Sequence, residues 1–183
     1  MRKENADKEQ KRSFKREVFS WIACIVVTIL LTEFILNFVI INANIPSGSM
    51  ENTIMTNDKL IALRTSYWFN DPKRGDIIIF KYPDDETEWF IKRVIALPGE
   101  TVLVKDGKVY INGSKKALSE PYIKEEPVED FGPYKVPKNG YFVMGDNRNN
   151  SNDAREWETH YVSRDEVLGK AWFRYYPSIK VIK

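Results

Sequence analysis

The sequence predicts a mostly β protein: a single N-terminal transmembrane helix followed by an antiparallel β-sheet or barrel-like domain. Three observations carry that expectation. Residues 18–41 form an almost entirely apolar run, broken by Glu33 and Asn37. Beyond it come short runs rich in Ile, Val, Phe and Tyr, separated by Gly, Pro and Asp, which is the composition of strands and their turns. Helical periodicity is scarce after residue 41, which favours packed sheets.

The apolar run comes first. A helix over 18–41 would be about 36 Å long, against a hydrocarbon core of roughly 30 Å. Residues 1–17 hold seven Lys/Arg against four Asp/Glu, so they read as a basic cytoplasmic tail. The positive-inside rule then sets residues 42–183 outside the cytoplasm. Glu33 falls in the outer part of the bilayer, where its carboxyl reaches toward the headgroups. A cleaved secretory signal is the competing reading. Asn42-Ala43-Asn44 lacks the small-residue cleavage pattern, however, and the run exceeds the usual length of roughly 7–15 apolar residues. An uncleaved anchor in the lipid bilayer is expected.

Charge narrows the partners. The chain holds 28 Lys/Arg and 26 Asp/Glu, and without the tail and Glu33 the two kinds are equal in number. A body without net charge offers no broad basic field, so no nucleic-acid partner is expected. The only cysteine is Cys24 and the only histidine His160, which excludes an internal disulfide and any Cys- or His-rich metal site.

Within 42–183, Lys59–Leu63 reads as a short strand and Tyr67-Trp68-Phe69 as either a core edge or a membrane-interface contact. Arg74-Gly75-Asp76 leads into a buried strand over 77–80, and 84–88 reads as a solvated acidic turn. Residues 88–96 form the next strand. Thr101–Lys105 and Lys108–Ile111 flank Asp106-Gly107, the two-residue signature of a type I′ hairpin. Residues 114–139, rich in Pro and charge, predict a long, partly mobile surface excursion. Tyr141–Met144 returns as a strand. Ser163 and Glu166 suit a capping box for one helical turn closed near Gly169, and Ala171–Tyr176 is the last strand.

Three stretches carry candidate chemistry. In Pro46-Ser47-Gly48-Ser49-Met50, a proline fixes the entry and a glycine permits close backbone approach, which is one way to present a serine hydroxyl. It is equally the composition of an ordinary turn. In the strand over 88–96, Lys92 shares a face with Phe90, Val94 and Ala96, while Arg93 points the other way. An ammonium among apolar neighbours loses solvation, and the neutral amine so favoured can act as a general base. The bland alternative is a lysine that snorkels over a sheet edge. Residues 145–155 form a dense polar loop in which only Ala154 is apolar, and its side chains can bond one another and nearby backbone.

These stretches, with Arg74-Gly75-Asp76-Ile77-Ile78 and Ile91 through Glu100, occur in the order found in bacterial type I signal peptidases, and the chain over 18–183 resembles that family, most of all its Gram-positive branch. The resemblance implies a signal-peptidase-type catalytic domain in 42–183. It implies a serine endopeptidase that removes signal peptides from exported preproteins bearing small residues at −1 and −3. Ser49 matches the nucleophile and Lys92 the general base. Ser47, with the Ser49 backbone N–H, matches the oxyanion hole. Ser151 matches the serine that orients the lysine, while Asp146, Asp153 and Arg155 match residues that brace the site. Met50 matches a residue expected to pack in the substrate cleft. No metal or organic cofactor is implied. Partners would be signal peptides, the bilayer and the secretion machinery. Three departures stand out: Ala154 where the family usually has Ser, Glu33 where many relatives are basic, and the polar residues Asn42 and Asn44 before the site.

Other classes are weighed against this. A catalytically silent, signal-peptidase-like binding module would not need Ser49, Lys92 and Ser151 together. A Ser-Lys autoprotease that regulates transcription would need a helix-turn-helix, which the basic tail and anchor do not supply. A Ser-His-Asp hydrolase would have to use His160, which lies outside every matched stretch and reads as a structural residue.

Overall fold

The chain forms two units, Met1–Val39 and Ile40–Lys183. From residue 18 the helix of the first carries apolar side chains on every side, which leaves it no one face to bury in a globular core. The computed structural model describes residues 2–182, with side chains from Phe14 onward. Helix α1 (Arg2–Phe34) widens into a π-helical turn over Ile35–Val39. Phe14–Val39 is long and apolar enough to cross a membrane, and none of it is buried. Asn37 Nδ2 donates to the Glu33 carbonyl at 2.8 Å and to Glu33 Oε2 at 3.1 Å, so these two polar residues of the run partner each other.

The helical run stops earlier than the expected residue 41. Ile40 and Ile41 open strand β1 (Ile40–Asn44), which pairs antiparallel with β2 (Lys59–Leu63). Ile41 is buried in a core cluster, so a β-branched pair that extends the apolar run by composition belongs to the sheet by packing.

The second unit is built on an eight-stranded antiparallel sheet in the order β1, β2, β10, β3, β4, β8, β9, with β11 added to β10. Its other members are β3 (Ile77–Tyr82), β4 (Asp85–Ala96), β8 (Gly140–Met144), β9 (Val162–Ser163), β10 (Val167–Tyr176) and β11 (Lys180–Val181). A smaller sheet sets β5 (Thr101–Lys105) between β6 (Lys108–Ile111) and β7 (Phe131–Lys135). The expected mostly β, antiparallel architecture behind one N-terminal helix is what the chain adopts.

Strand β3 explains why Ile77–Phe80 reads as continuously apolar. Alternation sends Ile78 and Phe80 into one cluster with Val94, Phe142 and Trp157, and Ile77 and Ile79 into another with Ile41, Met50, Ile54 and Leu60. Both faces of the sheet are covered there, so neither set can be polar.

Two local expectations change, at 84–88 and at Gly169. The acidic stretch 84–88 is not a turn: β4 begins at Asp85, and Pro83-Asp84 alone connect it to β3. This arm of the hairpin is solvated, so it tolerates acids that would be excluded further along the strand. Residues 114–139 run over the surface, and part of the stretch pairs with the rest of the fold. They contribute β7, and Leu118 N donates to Val109 O at 2.8 Å and Lys124 N to Asp146 O at 3.0 Å. Gly169 does not close a helix. The single turn Arg164–Glu166 ends at Val167, with Glu166 Oε2 accepting from Ser163 N at 2.6 Å. Gly169 sits inside β10 opposite Ile79, where an added Cβ would come within 2.8 Å of Leu63 O. The Asp106-Gly107 turn has positive φ at both residues, 51° and 75°, as a type I′ hairpin requires.

Candidate active site

Between β1 and β2 the chain makes a loop closed at its neck, where Ile45 N donates to Asp58 O at 3.0 Å and Asn57 N to Ile45 O at 2.8 Å. Apolar residues turn inward from this loop. Met50 and Ile54 are fully buried in the cluster beneath it, and Thr53 N and Ile54 N both donate to Met50 O. Met50 therefore serves as a core anchor below the site and not as a wall of the cleft expected for it. With Met50 pinned, Ser49 is held at the surface of the core with 7% of its area exposed.

Lys92 comes to Ser49 from β4. Its Nζ lies 2.9 Å from Ser49 Oγ, and it is 4% exposed, with Phe90 under the amine at 5.2 Å from the ring centroid. Burial pulls the amine down to about 8 from an ordinary 10.5, while the charge of Asp153 pulls weakly the other way. A cavity of about 700 Å³ opens on the pair, lined by Pro46, Ser47, Trp89, Ile91, Ser151 and Glu156 among others. One sheet edge borders it. β4 pairs with β8 only from Arg93 onward, so on that side the edge over 88–92 has no strand partner among the described residues. The exposed segment 46–47, which follows β1 in the chain, also lines it. The Ser49 N–H is not donated to any protein acceptor among the described residues.

The polar loop after β8 braces this arrangement from below. Gly145 N donates to Asp153 Oδ2 at 2.9 Å, and Arg155 holds the same carboxylate through Nε and Nη2, each at 2.9 Å. Asn147 ties the loop to the serine segment, with its N–H on Ser49 O at 3.1 Å and its Nδ2 on Gly48 O at 2.9 Å. Gly145 is packed so closely that a Cβ would collide with Ser151 Oγ and Ser49 O. Ser151 lines the cavity, but its buried hydroxyl has no hydrogen-bond partner, so the expected bond to the lysine amine is not formed in this structure.

Asp146 does its bracing at one remove. It takes both arms of Arg93, Nε at 2.8 Å and Nη2 at 2.7 Å, and accepts from Thr53 Oγ1 at 2.5 Å. Arg93 also donates to Gly75 O at 2.8 Å and stacks on Tyr122, 3.8 Å from the ring centroid. Sequence reasoning passes over Arg93, although strand alternation already places it on the face opposite Lys92. It also passes over Arg148, which is fully buried with Glu120 as its counterion. His160, which a Ser-His-Asp hydrolase would need, does not line the serine cavity. Its Nδ1 is 2.8 Å from Ala154 O and its ring sits edge-on between Phe131 and Tyr134.

A serine against a buried lysine, on a mostly β domain behind one apolar helix, has counterparts among known proteins. The family model described as signal peptidase, peptidase S26, matches residues 18–176. The chain belongs to this family. It is 44% identical over 161 residues to probable signal peptidase I-2 of Synechocystis, covering 85% of this chain and 72% of that one. It is 45% identical over 164 residues to signal peptidase I of Leptolyngbya laminosa, covering 85% and 78%. Signal peptidase I of Bacillus amyloliquefaciens is 34% identical over 185 residues, covering 96% and 97%. A crystal structure of signal peptidase I from Enterococcus faecalis aligns with a TM-score of 0.48 at 36% identity, covering 55% of this chain and 97% of that one. The chain is accordingly a membrane-anchored serine endopeptidase of the signal peptidase I type. One departure from the family pattern now has a setting: the Ala154 methyl is fully buried among the apolar residues around Trp157.

Proposed function

We propose that this signal peptidase removes N-terminal signal peptides from exported preproteins, with Ser49 as nucleophile and Lys92 as general base. The observation that carries the reading is the 2.9 Å contact between Ser49 Oγ and a buried lysine amine held near 8. A serine hydroxyl attacks only when a base takes its proton. A neutral Lys92 amine accepts that proton as Ser49 Oγ bonds to the scissile carbonyl carbon. The tetrahedral oxyanion is met by the undonated Ser49 N–H and the Ser47 hydroxyl, donors of a kind worth about 3–4 kcal/mol each. The Lys92 ammonium then protonates the leaving amine, and a water activated by the same amine releases the acyl group. Ser151 supplies an acceptor for the ammonium once the proton has moved, a use for a hydroxyl otherwise left without a partner.

The unpaired β4 edge over 88–92 suits an extended substrate, because a strand can bind there through backbone hydrogen bonds. Small residues at −1 and −3 are the expected specificity, as secretory signals carry them. The basic residues before the anchor support a cytoplasmic N-terminus and an extracytoplasmic domain 42–183. The secretion machinery is the expected supplier of substrate.

The test is cleavage of a signal-peptide-bearing preprotein by the detergent-solubilised full chain beside Ser49→Ala and Lys92→Ala, from about pH 6 to about pH 10. Loss in both variants is expected, with wild-type activity rising through the lysine's titration. A folded wild type without cleavage would instead favour the silent binding module.

A further inference from the structure

Residues 120–124, in the Pro-rich stretch between β6 and β7, contribute a carboxylate to the interior of the site's support. Glu120 Oε1 and Oε2 accept from Arg148 Nη2 at 2.6 Å and Nη1 at 3.1 Å, with the two side chains 6% and 0% exposed. Tyr122 Oη donates to Glu120 Oε1 at 3.0 Å, and the same tyrosine ring carries the Arg93 guanidinium. From the far side of its own guanidinium, Arg148 Nε donates to Gly145 O at 2.9 Å. Arg155 Nη2 fixes the Arg148 carbonyl at 2.6 Å, and Lys124 N fixes the Asp146 carbonyl at 3.0 Å. Gly145 is the residue against which Ser49 O and Ser151 Oγ are pressed with no room for a methyl group.

We propose that Glu120 is a positioning residue for the reaction: by seating the Arg148 guanidinium it fixes the Gly145 carbonyl, and with it the floor under Ser49 and Ser151. A buried guanidinium without its carboxylate must move toward another acid or toward water. Either movement releases the Gly145 carbonyl. The nearest functional consequence is at Lys92, whose neutrality depends on burial and whose charged influence is Asp153, held by the same loop. This inference rests on the Ser49–Lys92 reading above.

The experiment compares kcat, KM, the pH profile and the thermal midpoint of the full chain with Glu120→Gln, Glu120→Asp and Arg148→Lys, using one preprotein substrate. Misplacement of reacting groups by fractions of an ångström lowers turnover by about 10- to 100-fold, and that loss is expected in kcat for Glu120→Gln while KM stays within about twofold. Water admitted at Lys92 lets its amine rise toward 10.5, so the activity limb moves to higher pH. Arg148→Lys keeps the cation but loses the Nε donor, and the same alkaline movement is expected; Glu120→Asp restores part of the turnover. Should Glu120→Gln fail to fold, Arg148→Lys carries the test. A lowered thermal midpoint with wild-type kcat and an unmoved pH limb overturns the proposal and leaves a purely structural ion pair. Survival of cleavage in Ser49→Ala would instead overturn the reading on which it rests.

Discussion

Asp146 and Arg93 form a two-point ion pair, at 2.8 and 2.7 Å, with side chains 0% and 3% exposed. The pair lies one residue along β4 from Lys92 but on the opposite face, so it fastens the strand to the 145–155 loop without touching the amine. Removing Asp146 takes from the buried Arg93 guanidinium its two-point carboxylate, a loss of about 3–5 kcal/mol for a pair of this kind. Asp146→Ala is expected to lose that much in denaturant unfolding of the full chain and to lose activity with it. A change below about 1 kcal/mol would show that the guanidinium finds water or another acid at little expense.

At Gly145 space decides, not backbone angle. A methyl group there overlaps Ser151 Oγ and the Ser49 carbonyl, one of them backbone that cannot rotate away. Gly145→Ala is expected to reduce kcat by about 100-fold, because the serine segment must shift to admit it. Steady-state cleavage with near-normal kcat in this variant would mean that the loop moves as a body and the close packing is incidental.

How far these arrangements are legible in the sequence depends on how local their causes are. β2, the Asp106-Gly107 hairpin and β3 follow from short-range pattern and turn chemistry, and Lys92 with its apolar face follows from strand alternation. Ile40 and Ile41 do not, since composition cannot tell the last turn of an apolar helix from a β-branched strand; the β2 partner decides. The start of β4 is misread because a solvated hairpin arm has no apolar face to betray it. Glu120 is invisible for a different reason. Its counterion is 28 residues away in sequence, and nothing in a Pro- and Glu-rich stretch marks one acid as the buried one. Met50 shows the same limit in reverse: its position beside Ser49 suggests the cleft, but its side chain goes to the core.

Lys92 should make the fold less stable at neutral pH than it would be without it. Its amine is lowered by burial to about 8 from 10.5, so between those values the unfolded chain binds more protons than the folded one. Stability therefore rises with pH across that window, and below about 8 the full penalty of burying the charged form applies, on the order of 3 kcal/mol. Lys92→Met is expected to raise the thermal midpoint at pH 7 and to raise it much less at about pH 10. An equal gain at both values would mean that the benefit comes from packing and not from the charge.

Ala154 and Trp157 set up the last expectation. Asp153 O accepts from both Glu156 N and Trp157 N, at 2.8 and 3.3 Å, so the segment makes a helical turn in which positions 154 and 157 fall on the same side. Both side chains lie in one buried cluster, and the Trp157 Nε1 donor has no hydrogen-bond partner there. An orphaned buried donor costs about 1–3 kcal/mol. Ala154→Ser, which brings back the hydroxyl usual in this family, is expected to give the indole an acceptor and raise stability by about 1 kcal/mol. Because Ala154 touches neither Ser49 nor Lys92, kcat should stay within about twofold. A fall in the thermal midpoint would mean that the hydroxyl is itself buried without a partner, and that the alanine is this chain's own solution to a tighter cluster around Trp157.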